Sequence, residues 1–213
     1  MSTTTIDDTT HRSRRTGSPL PAIAGLGALG AFVGAAASFG DPLGAADTPA
    51  QAAAALPESA ASLAAVLLGA YALLAIAVTG ALAARLGRNG DTPAARLLPI
   101  LGSWHVLLMT VAFAAPAAAV AVGTLIFDTG VTPTGVESAL LLMNVAHPMA
   151  AWVGAGFLVA VALATRAAGA SRVLLGVSAV FAVGLLLPPV GWAVTYLMPF
   201  WFAGVGIWLW RRN

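Results

Sequence analysis

The sequence predicts an all-α fold: a six-helix transmembrane bundle with both termini cytoplasmic, short loops and one short external interfacial helix. Three observations predict it. Of 213 residues, 59% are apolar and 8% are charged, against roughly 25% charged in an ordinary soluble domain, so only lipid could cover such a surface. The apolar residues fall into long uninterrupted runs. All ten basic residues are arginines, and they occur only between alternate runs.

Residues 1–19, MSTTTIDDTTHRSRRTGSP, are polar and are expected to form a disordered cytoplasmic tail in which His11 is a solvated residue. Arg12, Arg14 and Arg15 precede the first apolar run, about 20–39. This pattern also resembles a signal peptide, with Ala35–Ala37 a possible cleavage region. The run is longer than a usual signal core, and retaining it as a helix balances the charges below. The second span is expected over about 62–84, the third over 97–125 and the fourth over 138–165. The last run, from Val173 to Trp210, would be about 57 Å long as one helix, too long for a single crossing. Pro188, Pro189 and Gly191 interrupt it and divide it into helices over 173–187 and 192–210, the first of them short.

The linkers carry start signals. Thr48-Pro49, Thr92-Pro93 and Thr132-Pro133 each place a capping hydroxyl before a proline at the first helical position, where its missing N–H is not needed. Thr48 with Gln51 has capping-box spacing and predicts a short external helix over 49–56. Thr134 with Glu137 has the same spacing and offers a competing start for helix four. On helix one, Gly30 and Gly34 have the spacing that permits close backbone contact between membrane helices, with Gly27 nearby.

Charge sets the orientation. In a six-helix reading every arginine lies on one side: Arg12, Arg14 and Arg15 before helix one; Arg85, Arg88 and Arg96 between two and three; Arg166 and Arg172 between four and five; Arg211 and Arg212 after six. The opposite loops hold only Asp41, Asp47, Glu58, Asp128 and Glu137. Short arginine-bearing loops stay cytoplasmic. Trp192 near the outer end of helix six, and Trp208 and Trp210 near its inner end, suit the two interfaces as anchors.

The same composition excludes several functions. Without cysteine there are no disulfides, thiolate metal sites or thiol nucleophiles. The arginines form no basic stripe, so nucleic acid is not an expected partner. No Asp, Glu, Lys or Arg lies within a predicted span, which counts against a proton-coupled carrier. No zincin, hydrolase-elbow or phosphate-loop motif is present, and no catalytic residue or resident cofactor is expected.

Polar residues within the spans are few. Helix three has Ser103, Trp104, His105 and Thr110 with Pro116. Helix four has Asn144 and His147, three apart and on one face, followed by Pro148. Helix six has Thr195, Tyr196 and Pro199. One reading of the histidines is internal hydrogen bonding. A second is a pocket for a lipid-like or apolar ligand oriented by His105, Asn144, His147 and Tyr196. A third is axial ligation of haem b by His105 and His147, although the two are expected at depths about 5 Å apart. A zinc site lacks donors. An alternative site at Arg88, Asp91 and Arg96 could serve a lipid headgroup but equally forms a solvated turn.

The external segment DTPAQAAAAL, the fourth helix SALLLMNVAHPMAAWVGAGFLVAVALATR, the following LLGVSAVFAVGLLL and the terminal WLWRR together resemble the DUF4386-like family of bacterial integral membrane proteins. The resemblance covers most of 20–212 and implies a self-contained six-helix protein. It supplies no catalytic residues. The expectation is a multi-pass protein of the bacterial plasma membrane. It would bind a lipid-like ligand or support a partner membrane protein, or itself as a homo-oligomer, with small-molecule transport as an alternative.

Overall fold

The structure is a computed structural model and describes residues 18–39, 48, 50–51, 58–88, 91–126 and 130–212. Among these the chain forms six α-helices: α1 (Leu20–Phe39), α2 (Glu58–Gly87), α3 (Pro93–Ala121), α4 (Pro133–Ala167), α5 (Arg172–Leu186) and α6 (Val190–Arg212). A π-helical turn, Val122–Ile126, extends α3. Five of the helices are long and apolar enough to cross a membrane; α5, at 15 residues, is the exception. Large apolar side chains such as Leu73, Trp152 and Val173 point outward from the bundle, which suits a multi-pass protein facing lipid.

The expected caps form. Thr92 and Thr132 accept from the N–H of Ala95 and Gly135 at 3.2 and 3.1 Å, with Pro93 and Pro133 next in the chain. The second cap starts α4 at Pro133, so the competing start at Thr134–Glu137 is not used. An early start saves one orphan donor and adds two residues to a helix that still has a partner in α3. Thr48 and Gln51 make the reciprocal bonds of a capping box, at 3.1 and 3.2 Å; the rest of the expected 49–56 helix, and the tail up to residue 17, lie outside the described residues. Gly169, at φ 59°, ends α4. The N–H groups of Gly169 and Ala170 close back onto the carbonyls of Arg166 and Thr165, the paired bonds that satisfy a helix C-terminus.

Helices adjacent in sequence pack side by side from α1 to α5, most extensively α3 with α4, and α6 returns to pack chiefly on α1. The α1–α6 contact is made by backbone. A Cβ on Gly25 would lie 2.7 Å from the Phe202 carbonyl oxygen, and one on Gly206 would lie 2.3 Å from that of Pro21. This close approach is the glycine packing of α1. Gly30 meets nothing within 4 Å, and Gly27 and Gly34 meet only the leucine side chains of α2. The expected Gly30–Gly34 face is therefore not where backbones meet. Apolar helices crowded with glycine offer several such faces, and packing selects one.

These contacts fix relative directions. The start of α1 lies on the end of α6, and Arg85 at the end of α2 donates to the Arg212 carbonyl at 3.0 Å. The first half of α4 faces the end of α5 and the start of α6. The chain thus reverses through α5 despite its shortness. At 1.5 Å per residue α5 spans about 22 Å and α4 about 52 Å, so the Pro188–Pro189 turn sits well below the end of α4, beside Asn144–Ala151.

Candidate functional site

That recessed turn leaves a cleft. Pro148, Ala151 and Trp152 of α4 form one wall, and Leu185–Leu187, Pro188, Pro189, Gly191 and Trp192 form the other, around about 370 Å³. This is near the lower end of the range usual for small-ligand sites. Asn144 and His147 line it as well. Trp152 and Trp192 are 67% and 55% exposed, so the cleft opens sideways past two indoles rather than into a sealed interior.

His147 is 3% exposed. Its ring stacks on Trp192 with centroids 5.1 Å apart, and Phe113 and Tyr196 lie at 5.7 and 5.8 Å. Its Nε2 is buried with no hydrogen-bond partner. Asn144 is exposed at the rim and donates Nδ2 to the Leu140 carbonyl at 2.8 Å. Tyr196 does not line the cleft. It packs between Phe113 and Trp192, at 5.0 and 4.9 Å, and braces the histidine from behind.

His105 is placed apart. It is fully buried and donates Nδ1–H to the Ala150 carbonyl at 2.8 Å. The ring is pressed against Gly154, where a Cβ would lie 2.6 Å from Nδ1, with Leu185 close by and Phe202 at 6.4 Å. Its Nε2 is also unpartnered. Gly154 lies seven residues beyond His147, about 10 Å along α4, which places His105 deeper than the cleft. Of the four candidate residues, the structure brings together His147, Asn144 and, as support, Tyr196; His105 belongs to the bundle interior. The cleft that His147 lines does not include His105. A haem held by both imidazoles would need one space facing both Nε2 atoms.

Four threonine hydroxyls within the helices are used locally. Thr79, Thr110, Thr124 and Thr195 each donate to the carbonyl four residues earlier, at 2.6 to 2.9 Å, the back-bonding that hides a hydroxyl in an apolar helix. They do not form a polar route between the ends of the bundle. Trp104 faces outward. Asp91 pairs with Arg96, Oδ1 accepting from Nε at 2.8 Å, and both side chains are well exposed, as in a solvated turn. Among the described residues no group of three or more His, Asp or Glu could hold a metal.

Sequence reasoning missed Trp152, Leu186, Leu187 and the Pro188–Pro189 backbone as cleft walls, and took Trp192 only as an anchor. The available signal was the mismatch in length: a short fifth helix beside a long fourth one leaves a notch wherever the chain turns early.

Comparison with protein-family models, with curated proteins and with solved structures gives no match for this chain. The functional reading rests on geometry.

Proposed function

We propose that this protein crosses the bacterial plasma membrane six times with both termini cytoplasmic, and that its outer-facing cleft holds an amphiphilic, lipid-like molecule. The observation that carries the reading is the cleft itself, a lateral apolar notch whose lining includes His147 and Asn144. Depth agrees with it. Counted from Arg166 at the arginine-bearing end, His147 is about 28 Å along α4, at the far edge of a hydrocarbon core about 30 Å thick. A head group would therefore meet His147 and Asn144 at the interface while its chain lies between the helices and lipid. Trp152 and Trp192 sit at that same level, where indoles are favoured.

The closing of the ring by α6 on α1 and the shared end of α2 and α6 support an even number of crossings. The chain has no cysteine, so single cysteines report orientation cleanly. Thr132→Cys should react with an impermeant maleimide on intact cells and Arg88→Cys should not; the reverse pattern overturns the orientation. For the cleft, native mass spectrometry of gently purified protein should show a bound amphiphile that Ala151→Leu, which fills the notch, removes. A bare protein mass, or a bound mass indifferent to Ala151→Leu, overturns the reading.

A further inference from the structure

Helices α5 and α6 are tightly joined at the turn between them. A Cβ on Gly184 would lie 2.9 Å from the Val194 side chain, and one on Gly191 would lie 2.5 Å from the Leu185 carbonyl oxygen. Toward the arginine-bearing end a groove of about 280 Å³ lies between the two helices. Val173, Val177 and Phe181 form one wall, and Phe200, Gly204 and Trp208 form the other. Trp201 lines it too and ties the helices together, donating Nε1–H to Ser178 Oγ at 3.3 Å. Val173, Val177 and Phe200 are exposed, so the groove opens on the outside of the bundle. From Val173 to Phe181 it runs about 12 Å along α5. No charged side chain lines it, and its surface suits a hydrocarbon chain.

The charge lies at its end. Arg172 directly precedes Val173, and Arg211 follows Trp208 by three residues, about 4.5 Å along α6, with Arg212 next. All three arginines are exposed. Among the described residues the one carboxylate at this end, Asp91, is paired with Arg96, so none offsets the charge of these three.

We infer that the groove holds an acyl chain of an anionic phospholipid whose head group is held by Arg172, Arg211 and Arg212. This rests on the proposed membrane-spanning reading and is independent of the outer cleft, which lies at the opposite end of α5. A basic pocket between membrane helices on the cytoplasmic side suits such a head group, and each arginine near an anionic lipid is worth about fivefold in binding. A zwitterionic lipid of the same chains fills the groove equally and gains less at its end.

The test uses the full chain in nanodiscs of equal parts phosphatidylglycerol and phosphatidylcholine with identical acyl chains, and reads by native mass spectrometry the lipid that stays bound on release. The wild type should retain phosphatidylglycerol over phosphatidylcholine by at least about fivefold. Gly204→Phe should abolish that retention. A Cβ at Gly204 meets nothing within 4 Å, so the ring has room to fill the groove; thermal melting checks the fold, and Gly204→Val is a smaller plug that should reduce retention in the same direction. Replacing Arg172, Arg211 and Arg212 together by Gln should bring the two lipids near parity. Ala151→Leu, in the outer cleft, should leave the preference unchanged. Equal retention of both lipids by the wild type overturns the head-group assignment. A preference that persists in a folded Gly204→Phe, or that disappears in Ala151→Leu, overturns the groove as its source. A chain that stays out of the nanodiscs overturns the membrane-spanning reading itself.

Discussion

Two histidines, one on α3 and one on α4, sit in the same bundle and meet opposite surroundings. His105 is enclosed on every side by backbone and packed side chains: the Ala150 carbonyl, the bare face of Gly154, Leu185 and Phe202. His147 is enclosed by aromatic rings and borders a cleft. Each has one unpartnered nitrogen, so the imidazole chemistry is alike and the difference lies in what the neighbouring helices leave open. Next to His105 the long helices α3 and α4 run past each other without a break. Next to His147, α5 has already ended. The contrast teaches that a binding site in this fold is made by where a helix stops rather than by which polar residue it carries.

The largest effect should come from filling the two sides of α4 in turn. Gly154→Leu drives a side chain into the His105 ring, which has no room to retreat, and should destabilise the protein by about 3 kcal/mol. Ala151→Leu, less than one turn away, projects into the cleft and should change stability by less than about 1 kcal/mol. Thermal unfolding in detergent measures both, and similar losses would erase the distinction between sealed and open sides.

Removing the rings is expected to show the same order. His105→Ala leaves a closed cavity and should cost about 3 kcal/mol. His147→Ala leaves a space that joins the cleft and should cost less, about 1 kcal/mol. Both variants also bear on the haem alternative: protein from haem-replete cells should lack a Soret band. A band present in the wild type and lost in either variant would mean that the two imidazoles face one space, contrary to the contrast drawn here.

Much of this architecture was legible in the sequence because lipid imposes simple rules. The six helices follow from apolar run lengths, and the caps at Thr92 and Thr132 follow from Thr-Pro pairs whose chemistry is local. The division of the last run at Pro188–Pro189 is a backbone effect that no packing can reverse. The contact of Gly25 with Gly206 was not legible, because every apolar helix here offers several small-residue faces and the choice depends on a partner far away in sequence. The site was half legible for the same reason. Asn144 and His147 share a face by helical periodicity alone, whereas the placement of His105 against Gly154 and the cleft walls from the α5–α6 turn require three-dimensional packing.

The smallest effect should come from the arginine-bearing end, and it separates water-facing groups from both histidines. The hydrogen bond from Arg96 holds the Asp91 carboxyl below the usual carboxylate range. Since the folded value is the lower one, the pair's contribution is complete above the unfolded value of about 3.9 and is lost as pH falls through the folded value. Both partners are exposed, so solvent screening keeps the effect small. The melting temperature should be flat from pH 8 to about pH 5 and decline slightly below about pH 4, and Asp91→Asn should remove that decline. An additional transition between pH 5 and 7 that survives Asp91→Asn would have to come from a histidine reached by water, since only that side chain ordinarily titrates there. Its loss in His147→Gln but not in His105→Gln would assign it to the cleft and strengthen the contrast. Its loss in His105→Gln would show that the interior is not sealed.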